Sequence, residues 1–378
     1  MNANITSNKS TLSQYYEIDD SYQRFDAKNH MIYRPFWDKT LPTYRQMFFT
    51  NIEKHIKSKK EGYTRFDFAF VKAGWTIYEN FPFAFAWEGE KIHTIDEYGT
   101  NWTRSEHNIE NLNEFTQKIK KVAKFYGASL VGITDIDKKW IYNTDLKVKA
   151  LSKIEIDKNR IKSTENDDAF SKKPIFLPKG INKAIIIAIE MNSDGLATAP
   201  AQPSSASSAI AYSKMAFSIA CVGEFIRNLG YRAIQCGNDT ALSIPLAIDA
   251  GLGALGRSGL LITPEYGPRV RICKVFTDLP LKSDKPNSKF IETIKETCRD
   301  CFKCADACEN GAITKDKEPS FKGESSSNNP GVKKYYVNVE KCFEFWVENS
   351  GDCGNCITVC PFSKIKKSIT PSEFWNKI

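Results

Sequence analysis

Long apolar runs are missing from this chain. The longest are short, such as Ala184–Ile189 within AIIIAIEM, against roughly 20 residues for a membrane-crossing helix. The N-terminus, MNANITSNKSTLSQ, has neither a twin-arginine pair nor an apolar leader. A cytoplasmic protein, or a mature form relieved of its export signal, is therefore expected. A basic stripe interleaved with aromatics is also missing. The formal charge is +8, but Lys and Arg are mixed with Asp and Glu along the chain, and no nucleic-acid partner is expected. Cysteine is scarce before residue 298, where only Cys221, Cys236 and Cys273 occur. Disulfide scaffolds are short and cysteine-dense throughout, so that architecture is excluded. These three thiols read as buried groups without a role.

What remains is globular bulk with one loaded segment. The 378 residues are 41% hydrophobic and 26% charged, enough for two or three domains with an ordinary core. Residues 1–105 are rich in aromatics and show no clean periodicity. Residues 106–280 read as α/β. Asn111 with Glu114 offers a capping box to a helix striped by Leu112, Phe115, Ile119 and Val122, which Gly127 can close. SLVGITDI and AIIIAIEM read as strands, the second buried on both faces. GLATAPAQPSSASS (195–208) is small and turn-rich and reads as a loop. A helix from about Ser208 to Leu229 follows, stopped by Gly230. YRAIQ is strand-like, CGND a turn, and Thr240 a cap for a short helix reaching Ala250. RVRICKVF is a strand with Arg269, Arg271 and Cys273 on one side. Residues 281–378 hold the other eight cysteines.

Those eight are spaced for iron and sulfide. The first group is Cys298-x2-Cys301-x2-Cys304-x3-Cys308, and the second is Cys342-x10-Cys353-x2-Cys356-x3-Cys360-Pro361. Three thiolates within seven residues wrap one 4Fe–4S cubane, and the fourth cysteine of such a run ligates the other. Cys298, Cys301, Cys304 and Cys360 then hold cluster 1, and Cys308, Cys342, Cys353 and Cys356 hold cluster 2. Glu309 stands where a proline usual to the motif would be, and the long Cys342–Cys353 gap makes Cys342 the least regular ligand. Zinc is the alternative, but its knuckles supply ligands in pairs. Two cubanes make a wire, and a wire implies something to reduce.

Gly251-Leu-Gly253-Ala-Leu-Gly256 is formally GxGxxG. A dinucleotide fingerprint follows a strand and opens a helix; this one follows the helical LSIPLAIDA and runs into the strand-like GRSGLLI, so NAD is rejected. Its glycines read as places where backbone approaches a bulky ligand.

Residues 208–280, from SAIAYSKMAFSIACVGEFIRNLGYRAIQCGNDTALSIPLAIDAGLGALGRSGLL to RVRICKVFTDLPL, closely resemble the cobamide-binding core of reductive dehalogenases. YQRFDAKN, RPFWD, YGASLVGITDID and the paired cysteine motifs extend the likeness. It implies an α/β (α+β) fold, with a nitroreductase-like cobamide-binding core and a C-terminal ferredoxin-like domain carrying two 4Fe–4S clusters. It implies a base-off cobamide, held without the DxHxxG cobalt-ligand motif, and none of the four histidines here lies in one. The reaction implied is reductive removal of halide from an organohalide. Tyr212 matches the proton donor, with Asn238 and Arg271 as its polar partners. Thr240, Gly251, Gly253, Gly256 and Arg257 are expected cobamide contacts, and Trp37, Trp75, Trp87 and Trp346 expected walls of an aromatic substrate pocket. A helix beginning near Ser208 would put Tyr212 in its first turns, where the dipole favours phenolate.

The partners implied are an electron donor (ferredoxin, flavodoxin or a membrane quinol chain), a small membrane anchor and a homodimer mate. Members of that family usually reach the outer face of the cytoplasmic membrane by the twin-arginine route. Epoxyqueuosine reductase, a tRNA-modifying enzyme with the same cofactors, is the nearest rival. It would carry an aspartate where AYSKM stands, and a GWxGK-type segment in place of GLGALGRSGLL. A non-catalytic electron carrier or cobamide-binding module is the third reading, and would not need Tyr212, Asn238 and Arg271 gathered together.

Overall fold

The computed structural model describes residues 15–80, 108–148, 155–157, 160–162 and 170–378. Trp87 lies outside them.

At the centre is a four-stranded antiparallel sheet of β1 (Leu130–Asp135), β2 (Lys183–Glu190), β3 (Ala233–Cys236) and β4 (Val270–Thr277), in the order β1-β2-β4-β3. Leu130 stands opposite Ala188, Arg271 opposite Ile189, and Lys274 opposite Cys236. The unbroken apolar run of β2 follows from its central place, because both its faces are covered. Ala184, Ile186 and Ala188 enter one core with Trp140, Leu246 and Phe276. Ile185, Ile187 and Ile189 enter the other, against the long helix Gln202–Asn228. That helix contributes Ala211, Met215, Ile219, Val222 and Ile226, a stripe at helical spacing.

The central helix starts earlier than its sequence suggests. Residues 195–208 are not a loop: a short turn, Ser193–Leu196, is followed by the helix from Gln202. Pro203 is tolerated in the first turn, where its missing N–H costs nothing. The small residues that imitate a loop serve close packing. A Cβ added at Gly354 would lie 2.6 Å from Ser204 Oγ, and one at Gly351 2.7 Å from Ser205 Oγ. Gln202 Nε2 donates to Asn349 O at 3.1 Å and Ser205 Oγ to Asp352 O at 2.8 Å. The helix thus begins inside the cysteine unit. By hydropathy it is also long and apolar enough to cross a membrane, yet 56% of its most apolar window is buried within the fold; short uninterrupted runs had concealed this.

A second correction concerns Thr240. The short helix is Ser243–Asp249, capped at Leu242 without any side-chain bond, so Thr240 does not cap it. Instead Thr240 lies in the left-handed region, φ +75°, strained for a β-branched residue. The other expected elements hold: Asn111 caps Leu112–Phe125, and Gly230 follows the central helix at φ +88°. The cysteine unit joins the core through helix Ser288–Asp300, whose Ile291, Ile294 and Cys298 pack beneath the sheet.

Candidate active site and cluster pockets

Three elements meet at Tyr212. The central helix supplies the phenol, the turn after β3 supplies Asn238, and β4 supplies Arg271. Asn238 Nδ2 donates to Tyr212 Oη at 2.7 Å, and the Arg271 guanidinium lies 5.1 Å from the phenol ring centroid. Trp75 stacks on the ring at 4.9 Å, and Tyr78 meets it edge-on at 5.1 Å. Burial raises the Tyr78 hydroxyl well above its ordinary pKa. Ser213 fastens this aromatic wall to the helix, donating to Gly74 O at 2.6 Å and accepting from Tyr78 N at 3.2 Å. Because the helix begins at Gln202, Tyr212 is the eleventh residue and about 15 Å along the axis. The helix dipole acts within the first turn, so the expected help from that source is absent and the charge nearby is Arg271.

Arg271 is shared. Its NH2 group donates to Ser208 Oγ at 2.7 Å and pairs with Asp352 at 3.2 Å, while its Nε is buried without a partner among the described residues. Asp352 directly precedes Cys353, so one guanidinium touches both the Tyr212 group and the cluster 2 loop. Neither Asp352 nor Tyr78 was expected. Tyr78 sits three residues after Trp75, which is the signal that could have found it; Asp352 had none beyond its ligand neighbour.

The turn that carries Asn238 is held from behind. Lys274, fully buried, donates to Gly237 O, to Asp239 O at 3.0 Å and to Ser243 Oγ at 3.1 Å. Tyr142 takes the two remaining carbonyls, Asn238 O through its hydroxyl at 2.9 Å and Thr240 O through its backbone N–H at 2.8 Å. Four successive carbonyls are tied into the core, and the Asn238 side chain is left to face Tyr212. Burial lowers the Lys274 pKa, while Asp239 pulls it back.

The eight cysteines are free thiols in two groups. Cys298, Cys301, Cys304 and Cys360 line one cavity, together with Cys356. Burial, then Cys298, Cys360 and Cys301, push the Cys304 thiol up to about 12. Burial, then Cys308, do the same to Cys342, and Cys353 rises through burial and then Cys342. Helix Val339–Asn349 carries Cys342 into its group, which spans the long gap in the motif. Residues 297–364 match the family model of the 4Fe-4S dicluster domain; the free thiols suit the two clusters as a donor set.

Over most of its length the chain matches proteins of one kind. It is 35% identical over 316 residues to the tetrachloroethene reductive dehalogenase of Desulfitobacterium hafniense, covering 78% of this chain and 54% of that one. With the enzyme of the same name from Sulfurospirillum multivorans it shares 32% over 324 residues, 82% of this chain and 64% of that one. The chain is a relative of the reductive dehalogenases. It spans about half the length of the Desulfitobacterium relative. The fold agrees. A solved reductive dehalogenase, described as suggesting a mechanism for B12-dependent dehalogenation, superposes with a TM-score of 0.65 at 19% identity, over 93% of this chain and 44% of that one. A catabolic reductive dehalogenase in complex with 3-bromo-4-hydroxybenzoic acid gives 0.62 at 18%, with the same coverage. Likeness to the epoxyqueuosine reductase of Bacillus subtilis is 29% over 132 residues, 31% of this chain and 28% of that one.

Within this reductive dehalogenase fold the remaining expected residues separate. Trp75 joins Tyr212, whereas Trp37 lies at the surface with its indole N–H on Lys28 O, and Trp346 packs against a separate cluster of Met47, Phe343 and Val347. The glycine motif packs tightly against its own chain. A Cβ at Gly251 would lie 2.6 Å from Lys285 O, at Gly253 2.1 Å from Ile262 O, and at Gly256 2.5 Å from Ile262 Cδ1. The chain itself fills those spaces, so the glycines serve a tight hairpin, Ala254–Leu255 against Leu261–Ile262. Arg257 at its tip points away from the Tyr212 group and lines the cluster 1 cavity. Thr240 is 2% exposed, and its hydroxyl bonds Asp239.

Proposed function

We propose that this chain catalyses reductive dehalogenation, R–X + 2e⁻ + H⁺ → R–H + X⁻, in which Tyr212 gives the proton. The observation that carries this is the Asn238–Tyr212 hydrogen bond of 2.7 Å with Arg271 5.1 Å from the same ring, in a chain related to tetrachloroethene reductive dehalogenases. The two clusters are the route for electrons. A bound cobamide supplies a strongly reducing cobalt centre able to cleave a carbon–halogen bond. The donor set suits one held base-off. Both described histidines are engaged elsewhere: His30 Nδ1 on Ile32 N, with burial lowering its pKa to about 4, and His55 Nε2 on Glu348 O. Arg271 Nε, buried without a partner among the described residues, is a donor that a ligand could meet.

The residues divide the work simply. Asn238 fills one lone pair of the phenol oxygen, which leaves the O–H to be donated to substrate carbon. The phenolate that remains keeps the Asn238 N–H and gains Arg271. The ion pair of Arg271 to Asp352 offsets part of that attraction. Trp75 and Tyr78 keep water from one side of the ring, which strengthens both contacts. An outside donor (ferredoxin, flavodoxin or a membrane quinol chain) feeds the clusters, and a small membrane anchor and a second copy of the chain belong to the same reading.

The test is halide release from aliphatic and aromatic organohalides by anaerobically loaded protein with reduced viologen. Turnover is expected for the native chain and loss of it for Tyr212→Phe, with cofactor content unchanged. A fully active Tyr212→Phe variant refutes the role of the phenol.

A further inference from the structure

The hairpin built on the glycine motif delivers one side chain into the cysteine unit. Arg257 is 1% exposed, and all five of its N–H groups go to backbone carbonyls. Nε and NH2 donate to Cys298 O at 2.9 and 2.6 Å, NH2 also to Arg299 O at 3.2 Å, and NH1 to Thr314 O at 3.0 Å and Asp316 O at 2.7 Å. Phe302 and Tyr335 lie against the guanidinium, their ring centroids 4.5 and 4.0 Å from its carbon. Among the described residues no carboxylate pairs with it, unlike Arg269, which pairs with Glu190, or Arg271, which pairs with Asp352. Neutral carbonyls anchor a cation without cancelling it, and burial keeps water from screening it.

The two cysteine groups therefore sit in different fields. Arg257 lines the cavity of Cys298, Cys301, Cys304 and Cys360. Beside the other group the unpaired carboxylate, among the described residues, is Glu309, which follows Cys308 and accepts from Asn355 Nδ2 at 3.0 Å; Asp352 before Cys353 is paired with Arg271, as Asp300 before Cys301 is with Arg299. A cubane gains one negative charge on reduction, so a nearby cation favours the reduced form and nearby anions disfavour it.

We propose that Arg257 is a potential-setting residue: its buried guanidinium, free of any carboxylate, holds the midpoint of cluster 1 above that of cluster 2. An electron arriving in the pair rests on cluster 1, and cluster 2 is the stronger reductant. The proposal rests on the ligand sets given above. Iron and sulfide content test those sets on their own, so the two can fail separately.

The experiment is a potentiometric titration followed by electron paramagnetic resonance, on anaerobically loaded full-length protein. Two midpoints are expected. In Arg257→Met and in Arg257→Gln, which keeps amide donors, the higher midpoint falls by at least tenfold in the one-electron equilibrium, or 59 mV. The lower one stays. Arg257→Lys keeps the charge and holds the higher midpoint, and Glu309→Gln raises the lower midpoint only. The proposal is overturned if neither neutral variant moves a midpoint at full iron content, if both midpoints move together, or if Arg257→Lys falls as far as Arg257→Met. Neutral variants that lose a cluster while Arg257→Lys keeps both overturn it too, because they assign the side chain to assembly.

Discussion

Replacing Asn238 with alanine removes one N–H from the Tyr212 oxygen and little else. The turn is held by Lys274 and Tyr142 through backbone carbonyls, none of which the substitution touches, so the backbone stays in place. Hydrogen bonds to a charged group are worth about 1.5–3 kcal/mol, and the 2.7 Å contact becomes one once the proton has left. The bond to the neutral phenol is already worth about 0.5–1.5 kcal/mol, so the part gained in the transition state is about 1–1.5 kcal/mol, and at about 1.4 kcal/mol per tenfold turnover falls by roughly 5- to 12-fold. The loss falls on kcat rather than KM, because the bond is made to the enzyme's own acid and strengthens only in the transition state. The assay is steady-state halide release with reduced viologen, beside iron content and thermal melting to show that clusters and fold survive. A fall of less than about threefold in kcat, with both controls unchanged, would mean that the amide does not support the phenolate.

Asp249 is fully buried beneath the sheet, with Tyr16 Oη and Trp140 Nε1 donating to it, and burial raises its pKa from 3.8 to about 7. The folded chain therefore holds a proton that the unfolded chain loses near pH 4, and stability falls as pH rises from about 4 to 7. The total is up to about 4 kcal/mol. Asp249→Asn should flatten the melting temperature across that window; a native slope surviving in the variant would place the titration elsewhere. Cys342→Ala should lose about half the iron and one of the two cluster signals, and retention of both would remove Cys342 from the ligand set.

Much of the sheet was legible in the sequence because its strands are short apolar runs bounded by turn residues. The apolar run of β2 could only be a strand covered on both sides, and it is. The cysteine groups were legible because short spacings leave a cubane few ways to be wrapped. The N-terminal part of the central helix was not. Ser204, Ser205, Ser207 and Ser208 have the composition of a loop, yet Ser204 and Ser205 pack against Gly354 and Gly351, Ser207 against Gly195, and Ser208 meets Arg271. Glycine reports a close approach but not what approaches, and here Lys285 and Ile262 stand where a Cβ would lie. The partners of Arg257 lie more than 40 residues further on, in the cysteine unit, so its own segment gives no sign of them.

The early start of the helix bears on the chemistry. Its first turns close on residues 349–354, the segment that carries Cys353, and its third presents Tyr212 to Asn238. Arg271 spans the same interval, from Ser208 on the helix to Asp352 on the cluster loop. A flexible connection at 195–208 would let the proton donor and the cluster loop drift independently. A buried helix with Gln202 and Ser205 bonded across its origin makes them one rigid piece. In the proposed reaction, proton and electrons would meet at a spacing set by close packing of serine against glycine. A side chain added at Gly354, 2.6 Å from Ser204 Oγ, would have to shift the helix that carries Tyr212, although it is far from the phenol itself.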